Sequence, residues 1–219
     1  MKELFLAFIG TFFGAWAAFQ FQIAEQARKD KKSEAAAGRR AVLVLCNQYG
    51  QTKRFYKQAL SKFKDDPFRW VTLQPFDAFH SFLRLDVNSL GFLMNSSEPN
   101  IIQEVLLAEE AFLELVTTVH QRNDVHLNQL QLAIQKLGLD SLPASEEKIK
   151  ELLGQRLVVV MKDLTDSTYD LADAVLIHNE AIFNRLNTYL NMHYSDYQLL
   201  KREDVVRDCQ PSAADDSRD

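Results

Sequence analysis

The sequence predicts an all-α protein, in which a single N-terminal transmembrane helix precedes a cytoplasmic antiparallel bundle of long amphipathic helices. Two observations carry this prediction. A charge-free apolar segment stands at the N-terminus, and apolar residues recur at spacings of three and four through most of the remaining chain. Only 7 of the 219 residues are Gly and only 5 are Pro, which argues against a turn-rich all-β fold.

The first predicted element is the apolar segment from Leu4 to Ile23, which contains no Lys, Arg, Asp or Glu. A helix of this length spans about 30 Å, which is the thickness of the hydrocarbon core of a bilayer. A buried helix of a soluble core usually carries charge on one face, and this segment carries none. We therefore predict that residues 1–24 form a transmembrane anchor and that the bilayer is a partner of the protein.

A cleaved signal peptide is the alternative interpretation of the same segment. Ala15-Trp16-Ala17 resembles a cleavage site after an apolar run. The apolar run nevertheless continues beyond that site to Ile23, and a basic segment follows it. Basic segments of this kind resist translocation, which favours the uncleaved anchor.

Charge is distributed unevenly along the chain, and this asymmetry predicts the orientation. Residues 25–64 contain 11 Lys and Arg against 3 Asp and Glu, whereas residues 65–219 contain 13 against 26. Because basic flanks stay in the cytoplasm, we expect the N-terminus outside and the C-terminal domain inside, at the inner membrane if the source is bacterial. An acidic domain makes DNA an unexpected partner.

The basic juxtamembrane segment, residues 25–38, and the first turn after it are expected to face the membrane surface. Lys and Arg at this depth attract anionic lipid headgroups. The predicted membrane-surface residues are Arg28, Lys29, Lys31, Lys32, Arg39 and Arg40.

Small residues follow one face of the predicted anchor and include a GxxxG motif. Small side chains let two helix backbones approach closely in lipid, so this face predicts a homo-oligomer formed through the transmembrane helix. The residues of the stripe are Ala7, Gly10, Gly14, Ala17 and Ala18.

Residues 39–200 are predicted to form the helical bundle, and the polar tail 201–219 is predicted to be disordered. Between the first two long helices lies an aromatic stretch whose rings are expected to fill the core. The long helix near the C-terminus is expected to break near Thr165–Ser167. The predicted helices cover about residues 39–64, 76–85, 88–94, 100–119, 125–137 and 145–194.

The sequence contains no familiar motif for a metal or a cofactor, and we predict neither. None of the five histidines belongs to an H-E-x-x-H or E-x-x-H pattern, and no Walker loop or G-x-S-x-G occurs. His120 and Asp124 share a helical face, but two ligands are too few for a metal site.

Polar residues concentrate between the helix ending near residue 119 and the one beginning near 125, where they form either a helix junction or a catalytic site. Arg122 and His126 stand four residues apart, and such a pair can stabilise phosphate charge and move a proton. The sequence resembles the motif of HEPN ribonucleases, in which an arginine, a polar residue and a histidine follow in order on an all-helical bundle. Arg122 and Asn123 match the first two positions, and His126 follows at a shorter spacing.

We therefore carry two functional hypotheses. The first is a non-enzymatic, single-pass membrane protein whose cytoplasmic bundle binds a protein partner or senses a signal near the inner leaflet. The alternative, which the resemblance implies, is a membrane-tethered HEPN-like ribonuclease or toxin with Arg122 and His126 as catalytic residues. An assembly of anchors that perturbs the bilayer ranks last, because the apolar helix has no polar stripe to line a pore.

Overall fold

The computed structural model describes residues 2–79, 82–138 and 145–195, with side chains from Gly10 onward. These residues are helical with no β-strand among them, which confirms the all-α prediction. The predicted tail 201–219 lies outside the described residues.

Three long helices dominate the chain, and shorter helical segments connect or extend them. Helix α1 continues into a π-helical turn and a 3-10 turn, and α3 continues through a π-helical turn into α4. The elements are α1 (Lys2–Phe55), the turns Tyr56–Leu60 and Ser61–Phe63, α2 (Arg69–Thr72), a 3-10 helix (Val87–Asn95), α3 (Asn100–Val125), the π turn His126–Leu130, α4 (Gln131–Lys136), α5 (Glu146–Leu153) and α6 (Gln155–His193).

Helix α6 packs along both α3 and the C-terminal part of α1 and runs antiparallel to each. The Tyr194 hydroxyl donates to Glu34 at 2.9 Å, near one end of the bundle, and the Tyr169 hydroxyl donates to the Leu60 carbonyl at 2.9 Å, nearer the other. Arg185 of α6 donates to Glu104 near the start of α3, and Arg122 near the end of α3 donates to Thr165 of α6, so α3 and α6 are antiparallel as well. Helices α1 and α3 are therefore parallel to each other, so the chain must return along the whole bundle between them.

Buried apolar side chains form three clusters, one above another along the bundle axis. The cluster nearest the N-terminal extension joins Leu45 of α1, Val105 of α3 and Leu186 of α6. The middle cluster is centred on Phe112 of α3. The third, at the far end, contains Trp70 with Leu130, Ile149, Val158 and Met161.

The connection between α1 and α3 passes all three clusters in order. We call its irregular part, residues 73–86, the strap. The predicted helix over residues 76–85 is wrong, because the described strap residues form neither helix nor strand. The predicted helix over 88–94 is confirmed as the 3-10 helix Val87–Asn95. A spacing of three between phenylalanines indicated a helix, but here the rings of Phe76, Phe79 and Phe82 pack against the middle cluster from residues without regular secondary structure.

The aromatic residues of this connection fill the core, as the sequence predicted. Trp70 and Phe79 are buried. Four further rings are partly buried against the three clusters: Phe68, Phe76, Phe82 and Phe92.

Two predicted helix boundaries are wrong. No break occurs near Thr165–Ser167, because the Thr165 and Thr168 hydroxyls each donate at 2.7 Å to the carbonyl four residues earlier and fit within the helix. The break falls at Gly154, whose φ of 85° suits glycine. The predicted junction between residues 119 and 125 is also absent, since α3 continues through it to a π turn at His126.

The N-terminal half of α1 extends beyond the bundle. Residues 10–33 are exposed apart from the half-buried Glu25, and full burial begins at Ala35. Gly38 then packs so closely on Leu190 of α6 that a side-chain carbon would clash, and α1 passes it without a break. Within the part of the chain that the structure describes, no helix is long and apolar enough to cross a membrane. The side chains of residues 4–9 of the predicted anchor lie outside that part.

Candidate functional site

Arg122 joins α3, α6 and the strap from a buried position. Only 2% of the residue is exposed. Its Nε donates to the Thr165 hydroxyl at 3.0 Å, and one of its terminal nitrogens donates to the Leu73 carbonyl. Burial lowers the pKa of Arg122 to about 10, so the guanidinium stays charged at neutral pH. Arg122 therefore holds the first residue of the strap against the α3–α6 pair.

Asn123 and His126 lie beside Arg122 on the same helix. The Asn123 amide donates to the Phe76 carbonyl at 3.1 Å and is a second tie to the strap. His126 is 3% exposed, and its Nδ1 has no hydrogen-bond partner in the structure. Burial lowers the pKa of His126, and the Arg122 charge lowers it further, while a hydrogen bond with the Val71 backbone raises it. His126 is therefore neutral at pH 7.

The structure thus brings together the three residues of the HEPN resemblance, but beneath the strap. The cavity that Arg122 lines with Leu73, Phe76 and Asn123 has a volume of about 10 Å³. That volume matches a single water molecule. In this conformation a phosphodiester has no room beside Arg122. Catalysis by Arg122 and His126 would need another conformation and stays a prediction.

A second buried polar cluster joins α1, α3 and the strap, and sequence reasoning missed it. The Gln48 amide donates to the Glu109 carboxylate and, at 3.2 Å, to the Leu83 carbonyl. Glu109 also accepts the backbone N–H of Leu85 at 3.4 Å and lies 3.5 Å from the Arg84 guanidinium. The sequence signal was available, since Glu109 stands at an apolar-face position of α3.

Asn179 of α6 lies in the same central part of the bundle. It is fully buried, and neither its Oδ1 nor its Nδ2 has a hydrogen-bond partner in the structure. It interrupts the apolar series between Val175 and Ile182, which are both buried. A polar residue at such a position specifies the register of helices at a cost in stability.

The small-residue stripe of the predicted anchor is uncovered wherever the structure describes it. Gly10, Gly14, Ala17 and Ala18 are exposed, and a side-chain carbon added at either glycine would meet no atom within 4 Å. The Ala7 side chain lies outside the described residues. Self-association through the stripe remains untested.

The predicted membrane-surface residues are mostly exposed, as a headgroup contact requires. Arg28, Lys29, Lys31, Lys32 and Arg40 are exposed. Lys29 lies 3.7 Å from Glu25, an exposed pair that contributes little. The exception is Arg39, which is half-buried and has a buried Nε without a hydrogen-bond partner.

The described residues contain no group of three His, Cys, Asp or Glu side chains that could hold a metal ion. His120 and Asp124 line an open groove of about 540 Å³ with Val160 and Leu164 of α6. The other residues that line this groove include no further His, Cys, Asp or Glu.

No family model, no curated protein and no solved structure matches this chain. Its function must therefore be argued from the geometry of its own residues.

Proposed function

We propose that the chain is a single-pass membrane protein without enzymatic activity, whose cytoplasmic bundle binds a protein partner or senses a signal near the inner leaflet. One observation supports this most. An apolar, exposed helical extension continues without a break into a packed bundle. A continuous helix also provides a mechanical link by which a displacement of the anchor would reach the bundle.

The energetic argument rests on large apolar side chains that the bundle does not cover. Each is between 48% and 74% exposed, and complete burial of such a side chain contributes about 1.5–3 kcal/mol. Together their exposed surfaces correspond to about 5–10 kcal/mol, which is comparable to the stability of a whole domain. A lipid environment would recover that free energy. The side chains are Phe12, Phe13, Trp16, Phe19, Phe21 and Ile23.

Charge supports the same orientation. Exposed Lys and Arg follow the apolar extension directly, and each contributes about 1 kcal/mol near an anionic surface. The bundle beyond them is acidic, so an anionic leaflet repels it. The bundle would therefore stand away from the membrane and be open to a partner.

The test is fractionation of cells that produce the full chain. We expect the protein to pellet with membranes and to resist extraction by high salt, because its anchor is apolar. The matched variant carries Phe13→Lys and Ala17→Lys, which place two charges in the extension where no bundle atom is contacted, and it should move to the supernatant. Recovery of the unaltered protein in a high-salt supernatant would refute the proposal.

The ribonuclease alternative has one supporting observation, which is that Arg122 and His126 are neighbours on one helix. It requires the strap to move aside, since both side chains are buried. Overproduction would then degrade cellular RNA, and His126→Ala would abolish the degradation while leaving the helical content unchanged. Intact RNA in cells that overproduce the unaltered protein would remove this alternative.

A further inference from the structure

The exposed face of α1 within the bundle is basic. Residues 35–64 contain seven Lys and Arg and no Asp or Glu. Three of these basic side chains lie at spacings of three and four residues and are exposed. None of the three forms an ion pair with any part of the chain that the structure describes. We call them the basic patch: Lys53, Arg54 and Lys57.

The exposed face of α3 carries the opposite charge. Arg122 is the only Lys or Arg of α3, and it is buried. Glu110 and Glu114, which we call the acidic patch, are exposed one helical turn apart and form no ion pair among the described residues. They border a groove of about 410 Å³ that Leu106 and Leu113 also line. Such a groove suits a lysine, whose aliphatic stem packs on leucines while its ammonium group reaches a carboxylate.

The two patches stand at the same height along the bundle. The Gln48 amide donates to the Glu109 carboxylate, so these two residues mark one level of the parallel helices α1 and α3. Lys53 lies five residues beyond Gln48, and Glu114 lies five residues beyond Glu109, which is about 7.5 Å along either helix. The two patches therefore face outward at one level, on two different helices.

A second copy of the chain is the partner that this arrangement suits. The proposed anchor holds every copy in one membrane with the same orientation, so neighbouring copies present both patches at the same height. Residues 65–219 contain 13 Lys and Arg against 26 Asp and Glu, so most contacts between two bundles bring like charges together. A contact between α1 of one copy and α3 of another pairs opposite charges instead.

We propose that copies of this chain associate side by side, with the basic patch of one bundle against the acidic patch of the next. Exposed ion pairs are individually weak, so the contact needs both patches and the high effective concentration that a shared membrane supplies. Leu43 of α1 and Leu107 of α3, which are 41% and 55% exposed, extend the two faces towards the anchor and add apolar surface. This inference deepens the proposed function by naming a second copy as the partner, and it rests on that function for the common orientation of the copies.

The test measures fluorescence energy transfer between copies in the membranes of cells that produce the full chain, each copy fused at its C-terminus to a donor or an acceptor protein. The variant K53E/R54E/K57E makes both faces acidic, and E110K/E114K makes both faces basic. Either variant paired with itself should show at least about threefold less transfer than the unaltered protein, because like charges across an interface repel. The two variants paired with each other should regain the transfer, since each patch then faces its opposite charge.

The control reverses two charges elsewhere on the bundle. Lys148→Glu and Arg156→Glu together alter exposed side chains of α5 and of the start of α6, away from both patches, and should keep the transfer of the unaltered protein. Circular dichroism should show the same helical content in every variant, because the altered side chains are exposed. If a charge reversal prevents folding, K53Q/R54Q/K57Q replaces it, with a loss of about twofold expected from neutralisation alone.

Salt supplies a second measurement that needs no variant. In opened membranes the transfer of the unaltered protein should fall at least twofold between low salt and about 0.5 M salt, because exposed ion pairs are screened. Transfer that each patch variant retains in full, or that their combination does not regain, overturns the proposal, as does transfer that salt leaves unchanged. These outcomes are distinguishable from failure of the anchor, which fractionation of the same cells reports.

Discussion

Asn179 shows how one residue sets a balance between specificity and stability. Its amide is buried without a hydrogen-bond partner, and a buried unpaired polar group costs about 1–3 kcal/mol. We expect Asn179→Leu to raise the free energy of unfolding by about that amount, measured by urea denaturation. Asn184→Leu is the matched control, because Asn184 lies on the same helix and bonds the Glu180 carbonyl at the surface. A loss of stability in Asn179→Leu would show that the amide has a partner.

His126 predicts how stability depends on pH. Burial and the Arg122 charge hold its folded pKa below the ordinary value of 6.5, so below that pH the unfolded chain binds a proton that the folded chain does not. The contribution of His126 is complete above pH 6.5 and is lost as the pH falls towards the folded pKa. His126→Gln should lose less stability between pH 7.5 and 5.5 than the unaltered protein, as measured by urea midpoints.

The control for this pH dependence is His178, which is exposed on α6. His178→Gln should keep the pH dependence of the unaltered protein. If the urea midpoints of the unaltered protein and of His126→Gln fall by the same amount between pH 7.5 and 5.5, the assignment of a neutral, buried imidazole is contradicted.

At the scale of elements, the extension of α1 predicts how the protein self-associates. Gly10→Ile and Gly14→Ile add bulk where the structure has open space, so they should leave the bundle unchanged. If the stripe joins two copies in lipid, both variants should weaken association several-fold, because close backbone approach is lost. Chemical crosslinking in membranes measures this, with Phe12→Leu as the control, because Phe12 lies on the opposite face of the helix. Unchanged crosslinking would exclude the stripe as an interface.

The long helices were predictable from sequence because their apolar faces repeat over many turns. The strap was not, because the spacing of Phe76, Phe79 and Phe82 is typical of a helix, whereas the described strap residues form neither helix nor strand and still pack their rings into the core. Predicted helix boundaries were wrong where a polar side chain finds a hydrogen-bond partner within the helix. The Thr165 hydroxyl, for example, donates to a carbonyl of α6 and does not end the helix. The role of a glycine could not be predicted from sequence either. Gly38 permits close packing within a continuous helix, whereas Gly154 separates two helices.

For the candidate site, the sequence predicted which residues take part but not how they are arranged. Sequence reasoning selected Arg122 and His126 as polar residues near a helix boundary, and the structure places both in the interior. Which carbonyl a buried arginine reaches depends on the path of the strap, and local sequence does not specify that path. Gln48 and Glu109 were missed because their pairing joins residues 61 positions apart.

At the scale of the whole molecule, charge and hydropathy divide the chain into parts that suit different surroundings. Helix α1 carries the apolar extension and then the basic juxtamembrane segment before it enters the bundle, and residues 65–219, which follow α1, are acidic. The central claim is that the extension crosses a membrane and holds the bundle on the cytoplasmic side.

The most direct test of that claim is a pair of C-terminal fusions, one to a reporter active only in the cytoplasm and one to a reporter active only after export. The account predicts activity of the cytoplasmic reporter alone, in the membrane fraction. Replacing Arg28, Lys29, Lys31 and Lys32 by glutamine should lower the activity of the cytoplasmic reporter relative to that of the exported reporter, because basic residues set the orientation. Activity of the exported reporter in the unaltered protein would contradict the account, since the bundle would then lie outside.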